Sequence, residues 1–422
     1  MSRELRQREQ RQGGGLELPK FPYLMHLSTT ERNRRWRAIR RSMEENKLDC
    51  LLVWGNGTHW GRGSASLRYV SGIGANEEQG LCIFPLDGEP TVIVWHPAMA
   101  AWWSRVQNWV KDVRGRSDKG WAAVVGERMR ELGLNGRVKI GLIGFRDPQS
   151  YSNYSEEGKI RELLSKAAFS EEDMLLNKIR MIKSEEEIDL LTKASRIVDA
   201  MFQSIVDNAS AGVEETKVYS SVVQTLLDSG GEYPEMILWD AAKYPNLHPG
   251  RTPEPRRLRK DDVISVELHS KYCGYMGHGE RCIFLSKPTK EFQRIHDITI
   301  EVADVALEHL RAGETLENLA DAMTQPVKEA KLGITEMGVH GHGIASGEYP
   351  TFLHFPFHYP GSDKPIPFVL KANMVFGLTA DLFDPSFHRG KTGLMYADTV
   401  IVSGRRGKKL TRLPSDLMVT AG

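Results

Sequence analysis

The 422-residue sequence has only 4 cysteines, no excess of charge of either sign and no long apolar run. None of the cysteines has the spacing of a metal site, and Cys50, Cys82 and Cys282 fall in apolar, strand-like segments where a free thiol behaves as a small hydrophobe. The net charge of +1 argues against nucleic-acid binding, which usually requires a basic surplus. No apolar run approaches the roughly 20 residues that a membrane helix needs. We therefore expect a cytoplasmic protein without nucleic-acid or membrane partners.

The length of the chain favours two domains. Residues 1–20 begin as a polar, basic segment without the apolar core of a secretory signal, and they are predicted to form a flexible arm. Residues 21–175 alternate helical patterns with short apolar strands, as in an α/β layer domain. A capping box at Ser184 and Glu187 then begins a long amphipathic helix. The second domain is accordingly predicted over residues 176–422.

Local patterns predict the main elements of both domains. In the first domain these are helices Ser28–Leu48 and Ala122–Leu132 and strands Cys50–Trp54, Leu81–Phe84, Thr91–Trp95 and Val138–Ile143. In the second domain, two Ala-Gly pairs 101 residues apart each lie between amphipathic helices, which predicts two related halves. The sheet of that domain would contain Val263–Glu267, Arg281–Leu285, Met374–Leu378 and Thr399–Val402.

Most of the candidate chemistry lies in two short stretches of the second domain. Side chains alternate faces along a strand, so Glu267 shares a face with His269, and His278 shares a face with Glu280. If the two strands pair, these four groups converge, and His342 can join them. Carboxyls and imidazoles in one cleft acquire different pKa values, which provides a proton acceptor and a proton donor near neutral pH.

Four segments of the second domain resemble, in the correct order, the creatinase/aminopeptidase P/prolidase family. They are the helix entry Lys178–Ile188, the strand start Asp261–Ile264, the segment Gly341–Ile344 and the last strand Asp398–Val402. The first domain resembles the family's N-terminal domain less specifically. The resemblance covers nearly the whole chain after the arm. It implies an α+β protein, a homodimer, with an N-terminal α/β creatinase-type domain and a C-terminal pita-bread catalytic domain.

The resemblance also implies where a metal site would lie. The family's metal enzymes hold two divalent ions with two aspartates, one histidine and two glutamates, a ligand set suited to hard cations. The matching positions here are listed in chain order: Glu267, His278, His342, Thr379 and Ala397. Only the histidine is retained, so a site for two ions is not expected. The prediction is a site without cofactor; the alternative is one divalent ion held by Glu267, His278 and His342.

The creatinase branch of the family works without metal, and two of its features recur. His248 matches its catalytic histidine, and Glu280, directly before Arg281, matches a glutamate that binds the substrate's guanidinium. A second cation-binding glutamate is replaced by Thr379. The loop that would hold the substrate carboxylate is acidic here and contains Glu77 and Glu78. These departures argue against creatine itself and favour a small cationic or amidine-type substrate.

These features and the resemblance together predict a metal-independent small-molecule hydrolase of a C–N bond, similar to creatinase or ectoine hydrolase. His248 would shuttle the proton, Glu280 would hold the substrate, and Glu267, His278 and His342 would position water. The candidate substrate-binding residues are Glu77, Glu78, His269, Thr379 and Asp381, the last as a replacement for the glutamate lost two positions earlier. His354 and His358 are interpreted as structural. One alternative is a single-metal lyase or hydrolase, like the dimethylsulfoniopropionate lyases or the prolidases of this family. The other is a non-catalytic binding module on the same fold.

Overall fold

Two β-sheets organise the chain, one in each half. The computed structural model describes residue 24 and residues 27–57, 62–74, 78–145, 154–234, 236–250, 252–354 and 368–420. The predicted arm over residues 1–20 lies outside the described residues. Among the described helices, none combines the length and the apolar character required to cross a membrane.

The N-terminal domain is a six-stranded mixed sheet with helices packed against it. Its strands run in the order β4-β3-β2-β1-β5-β6, with β1 antiparallel to β2 and parallel to β5. The strands are β1 Cys50–Gly55, β2 Gly80–Pro85, β3 Thr91–Val94, β4 Asp112–Gly115, β5 Lys139–Ile143 and β6 Ala168–Glu171. The helices are α1 Thr29–Asn46, α2 Arg62–Ser71, α3 Pro97–Val106, α4 Trp121–Glu131, α5 Tyr154–Leu163 and α6 Asp173–Arg180. The boundary predicted near residue 175 lies within α6.

The C-terminal domain is a ten-stranded sheet with two helix pairs. Its main path runs in the order β11-β10-β12-β14-β9-β8-β7. The strands are β7 Ile237–Ala242, β8 Val263–Tyr272, β9 Tyr275–Phe284, β10 Gly333–His342, β11 Ser346–His354, β12 Val375–Phe383, β13 Gly393–Leu394, β14 Ala397–Ile401, β15 Lys408–Lys409 and β16 Met418–Val419. The helices are α7 Glu185–Asn208, α8 Glu215–Asp228, α9 Lys290–His309 and α10 Leu316–Ala330, and a short 3-10 helix spans Phe387–Gly390. The α+β architecture predicted from sequence is therefore present.

The two helix pairs repeat one local design. Gly212 connects α7 to α8 with a φ of 92°, and Gly313 connects α9 to α10 with a φ of 91°. Both values lie in the region that L side chains avoid, which explains why each Ala-Gly pair ends in glycine. Each helix pair buries its apolar face in a separate cluster with its own strands, β7 to β9 in one case and chiefly β10, β12 and β14 in the other.

The hairpin of β8 and β9 is longer than the two predicted strands. Its turn contains only Cys273 and Gly274, with φ values of 48° and 89°. Two consecutive positive φ values are typical of the tight turn that matches the twist of a hairpin. The strands therefore extend to Tyr272 and begin again at Tyr275, which are paired. As a result, all four polar residues of this segment lie on paired strands.

Buried ionic contacts join the two domains. Arg35 on α1 is fully buried and contacts Glu187 at 3.3 Å and the Tyr275 hydroxyl at 2.7 Å, both in the C-terminal domain. Arg68 on α2 forms two hydrogen bonds, of 2.9 and 2.7 Å, with the buried carboxylate of Glu232. Such contacts fix the relative position of the domains, because separating them would leave buried charges without partners.

Candidate active site

The central strands of the C-terminal sheet bring polar residues together on one face. The cross-strand register aligns His340, Gly377, His278 and His269 in one row through β10, β12, β9 and β8, with Thr399 of β14 bonded to His278. The adjacent row contains Gly338, Thr379, Ala397, Glu280 and Glu267. Alternate residues of a strand share a face, so the two rows lie side by side.

Glu267 is the centre of the first group. Its Oε1 accepts a hydrogen bond of 2.8 Å from His269 Nε2 and lies 3.4 Å from His278 Nε2. The two imidazoles are stacked with ring centroids 4.4 Å apart. Burial alone would raise the pKa of Glu267, but the hydrogen bonds and charges of these imidazoles outweigh it and hold that pKa well below its usual value. Glu267 is therefore an ionised acceptor.

A second group consists of carboxyls. Glu280 and Asp381 are buried and in hydrogen-bonding contact with each other, and Glu336 is paired with Asp381 across β10 and β12. Burial raises the pKa of each of the three, and their mutual repulsion and that of Glu267 raise it further. Two carboxyls in contact require a proton between them, so this group is a proton donor beside the acceptor Glu267.

His340 and His342 complete the cluster. Their ring centroids are 5.2 and 5.9 Å from that of His278. Burial lowers the pKa of both, and the neighbouring imidazoles lower it further, so both rings are neutral at neutral pH. His340 Nδ1 accepts a hydrogen bond of 3.3 Å from the Gly347 amide. Neither ring nitrogen of His342 has a hydrogen-bond partner among the described residues.

Small residues leave the space that the cluster occupies. A Cβ at Gly377 would lie 2.4 Å from His340 Nε2 and 2.8 Å from His278 Nδ1, closer than side chains tolerate. Ala397 lies opposite Glu280, where a larger side chain would meet it. Thr379 and Ala397 are therefore small residues directly beside the carboxyls of Asp381 and Glu280.

The structure does not bring every predicted site residue to this cluster. His248 is exposed on the loop between β7 and β8, and no hydrogen bond or ion pair among the described residues involves it. Glu78 is buried in the N-terminal domain, where its carboxylate accepts a hydrogen bond of 2.7 Å from Trp103. Glu77 and His358 lie outside the described residues, as does the side chain of His354. The roles predicted for His248, Glu77 and Glu78 stay predictions.

Sequence reasoning missed Glu336 and His340. Both lie on β10, which was not predicted as a strand; only the segment around His342, at its end, was identified from sequence. The alternation of Glu336, Gly338, His340 and His342 at every second position was a signal that could have placed all of them on one face. Their partners on β12 were not predictable, because they depend on a register set by tertiary pairing.

The residues present do not fit the dinuclear site of the metal enzymes. Ala397 has no ligand atom, and the buried hydroxyl of Thr379 is a poor ligand for a divalent cation. Glu267, His269 and His278 nevertheless offer three ligand atoms that lie within 4.8 Å of one another. The expectation of a site without cofactor is therefore not supported.

The chain belongs to the metallopeptidase family M24, whose model matches residues 189–404. The creatinase/prolidase N-terminal domain matches residues 35–182. The predicted membership of the creatinase/aminopeptidase P/prolidase family, and with it the pita-bread fold, is confirmed.

Similar proteins are peptidases of this family. The Xaa-Pro dipeptidase of Pyrococcus furiosus is 24% identical over 288 residues, which cover 68% of this chain and 77% of that protein. The X-Pro aminopeptidase of Thermotoga maritima superposes with a TM-score of 0.74 at 19% identity, over 91% of this chain and 99% of that one. The prolidase of Pyrococcus horikoshii gives a TM-score of 0.72 at 19% identity, over 92% and 100%. The family is thus one of hydrolases. At 19% identity, the similarity to the two solved structures shows the fold alone.

Proposed function

We propose that this chain hydrolyses a C–N bond of a small molecule at the cluster on the C-terminal sheet. The observation that carries this proposal is the contact between the carboxyls of Glu280 and Asp381, next to a Glu267 carboxylate that is held by two imidazoles. A protonated acid pair and an ionised carboxylate in one cluster are the proton donor and the proton acceptor that acid–base hydrolysis needs.

The step itself assigns a task to each group. The oxygen of a water molecule adds to the substrate carbon, and the group formed by Glu267, His269 and His278 takes up the proton of that water. The C–N bond then breaks, and the nitrogen leaves with the proton that Glu280 and Asp381 share. Water has been split between the two products, and the acid pair regains its proton from the first group or from solvent.

The cluster favours a small substrate that carries positive charge. It contains four carboxyl groups, and a cation can replace the proton shared by Glu280 and Asp381. Beside it, a cavity of about 370 Å³ lies between the two domains, and Gly347 borders the cavity while its amide contacts His340. That volume is within the range of small-molecule sites. The Xaa-Pro dipeptides named by the relatives are the natural comparison, and the missing family glutamates argue against them.

A substrate screen tests the proposal. Purified protein would be incubated with Xaa-Pro dipeptides and with amidine, guanidino and N-acyl amine compounds, and both products would be followed by mass spectrometry. We expect turnover of a cationic or amidine compound and a fall of at least about 100-fold in kcat for Glu280→Gln, the lower range for loss of a general acid. His296→Ala, a change outside the cluster, should retain activity.

Four results would count against parts of this proposal or of the sequence prediction. Full turnover by Glu280→Gln would remove the acid pair from the mechanism. Tight binding of a compound without any product would favour the binding module. Turnover in which the nitrogen leaves without uptake of ¹⁸O from labelled water would indicate a lyase. His248→Ala with unchanged kcat would remove the proton shuttle predicted from sequence.

A further inference from the structure

We infer that the cluster binds one nitrogen-preferring transition metal ion, such as Zn²⁺, Fe²⁺ or Co²⁺, through Glu267, His269 and His278. The inference rests on the proposed function and changes one part of it: with an ion bound, these three side chains would hold the ion instead of taking up the proton of the water. His269 occupies no ligand position of the family's two-ion site, so this ligand set differs from that of the two-ion site.

The contacts of Glu267 carry the inference first. His269 Nε2 lies 2.8 Å from Glu267 Oε1, and His278 Nε2 lies between two carboxyls, 3.4 Å from that same atom and 3.2 Å from Glu280 Oε1. Ligand atoms around one tetrahedral ion with bonds of about 2.0–2.1 Å lie roughly 3.4 Å apart. The His278 contact has this spacing already, and the His269 contact needs to lengthen by about half an ångström. All three ligand atoms lie within 4.8 Å of one another, so one ion can replace the protons between them once the side chains adjust.

The buried imidazoles supply an independent observation. His342 is fully buried and both of its ring nitrogens lack hydrogen-bond partners among the described residues, as does His278 Nδ1. Leaving such groups unpaired in the interior is unfavourable, so they point to a missing partner. The rings of His278 and His342 are stacked with centroids 5.9 Å apart, so both unpaired groups belong to this cluster.

The donor atoms select the type and number of ions. Two imidazoles and one carboxylate suit Zn²⁺ and other transition ions, whereas Mg²⁺ and Ca²⁺ prefer oxygen ligands alone. A second ion at the family's position would lack its usual bridging carboxylates, because Thr379 and Ala397 stand there. When bound, an ion of this type lowers the pKa of a coordinated water.

Metal binding can be measured without any substrate. The full chain would be stripped with chelator and titrated with Co²⁺, whose visible absorption reports nitrogen coordination, and then with competing Zn²⁺. We expect one equivalent to bind, with elemental analysis of reconstituted protein giving the same count. Mg²⁺ and Ca²⁺ should not compete.

Variants test the ligand assignment. Co²⁺ binding should weaken at least about 100-fold in each of His269→Ala, His278→Ala and Glu267→Ala. His340→Ala, which changes another imidazole of the same cluster, should bind Co²⁺ as the wild type does. His269→Asn serves if His269→Ala does not fold, and circular dichroism checks the fold of each variant. The wild type should show a rise in Tm with added Zn²⁺ that the ligand variants lack.

The inference is overturned if the stripped wild type binds no stoichiometric ion, if it binds two, or if His269→Ala binds as the wild type does. Loss of binding in His340→Ala equal to that in His278→Ala would refute the ligand set. These readouts do not involve turnover. If one ion binds but no compound yields a product, this inference stands and the proposed function fails. If a compound is turned over by protein that binds no ion, the proposed function stands and this inference fails.

Discussion

Two buried glutamates of the C-terminal domain should respond to the same substitution in opposite ways. Glu348 on β11 is ionised between the cations of Arg180 and Lys183, with 3.0 Å to Lys183 Nζ and a closer contact to Arg180. Glu280 is held against other carboxyls and is protonated. Replacing each with glutamine removes a charge in the first case and replaces one neutral group with another in the second.

The magnitude for Glu348 follows from its pKa. Burial opposes ionisation, but the charges and hydrogen bonds of Arg180 and Lys183 lower the pKa from 4.5 to about 2. A pKa about 2.5 below the unfolded value corresponds to a stabilisation of about 3 kcal/mol at neutral pH. This agrees with the cost of about 3–5 kcal/mol for removing one partner of a buried ion pair. We expect Glu348→Gln to lower the free energy of unfolding by about 3 kcal/mol at pH 7.

The pH dependence of the two variants should differ in sign. A lowered folded pKa stabilises the protein above the unfolded pKa near 4.5, and this is lost as the pH falls towards about 2. The deficit of Glu348→Gln should therefore be complete at pH 7 and pH 5 and shrink below pH 4.5. A raised folded pKa, as in Glu280, destabilises the protein above the unfolded pKa. Glu280→Gln should thus be at least as stable as wild type at pH 7, and its advantage should shrink towards pH 4.5.

Urea unfolding of chelator-treated protein, followed by tryptophan fluorescence at pH 7, 5 and 3.5, measures these differences. Exposed Glu301 provides the control Glu301→Gln, which should change stability by less than about 0.5 kcal/mol. Equal destabilisation by Glu348→Gln and Glu280→Gln would refute the assignment of one charged and one neutral glutamate. A deficit of Glu348→Gln that does not shrink at low pH would refute its electrostatic cause.

Two further substitutions test the packing around the site. Gly377→Ala should displace the rings of His340 and His278, because the added methyl group overlaps both; turnover and Co²⁺ affinity should fall together, and unchanged values would contradict the crowding. Arg68→Ala leaves the buried carboxylate of Glu232 without its bidentate partner, so thermal unfolding should show a loss of about 3–5 kcal/mol. The double variant with Glu232→Gln should recover part of that loss, and no recovery would argue against the ion pair as its cause.

Much of the fold was predictable because local signals and tertiary structure agree. The helix predicted over Ser28–Leu48 begins at Thr29, and the Ser28 hydroxyl accepts the Glu31 amide as expected. The backbone half of that capping box is different, since the Ser28 amide donates to Glu186 of the other domain. The box at Ser184 and Glu187 forms completely. The order of four motifs along the second domain predicted the family, and the match of residues 189–404 to the model of that family confirms it.

Part of the site was also predictable. The two-residue period of strands placed Glu267 with His269 and His278 with Glu280, and their pairing across the β8–β9 hairpin follows from its tight turn. Asp381 was predicted from its position two residues after a lost family glutamate, and the structure places it against Glu280.

The sequence by itself determined the two-domain architecture, the positions of the helices and the identity of the polar residues on β8 and β9. These depend on local periodicity, caps and turns, which act over a few residues. Only the tertiary structure decided that Glu336 and His340 join the cluster, that Gly377 makes room for two rings, and that Glu280 is protonated while Glu348 is charged. Those properties depend on which distant side chains share a buried space, since burial and neighbouring charge set both the pKa and the ligand geometry.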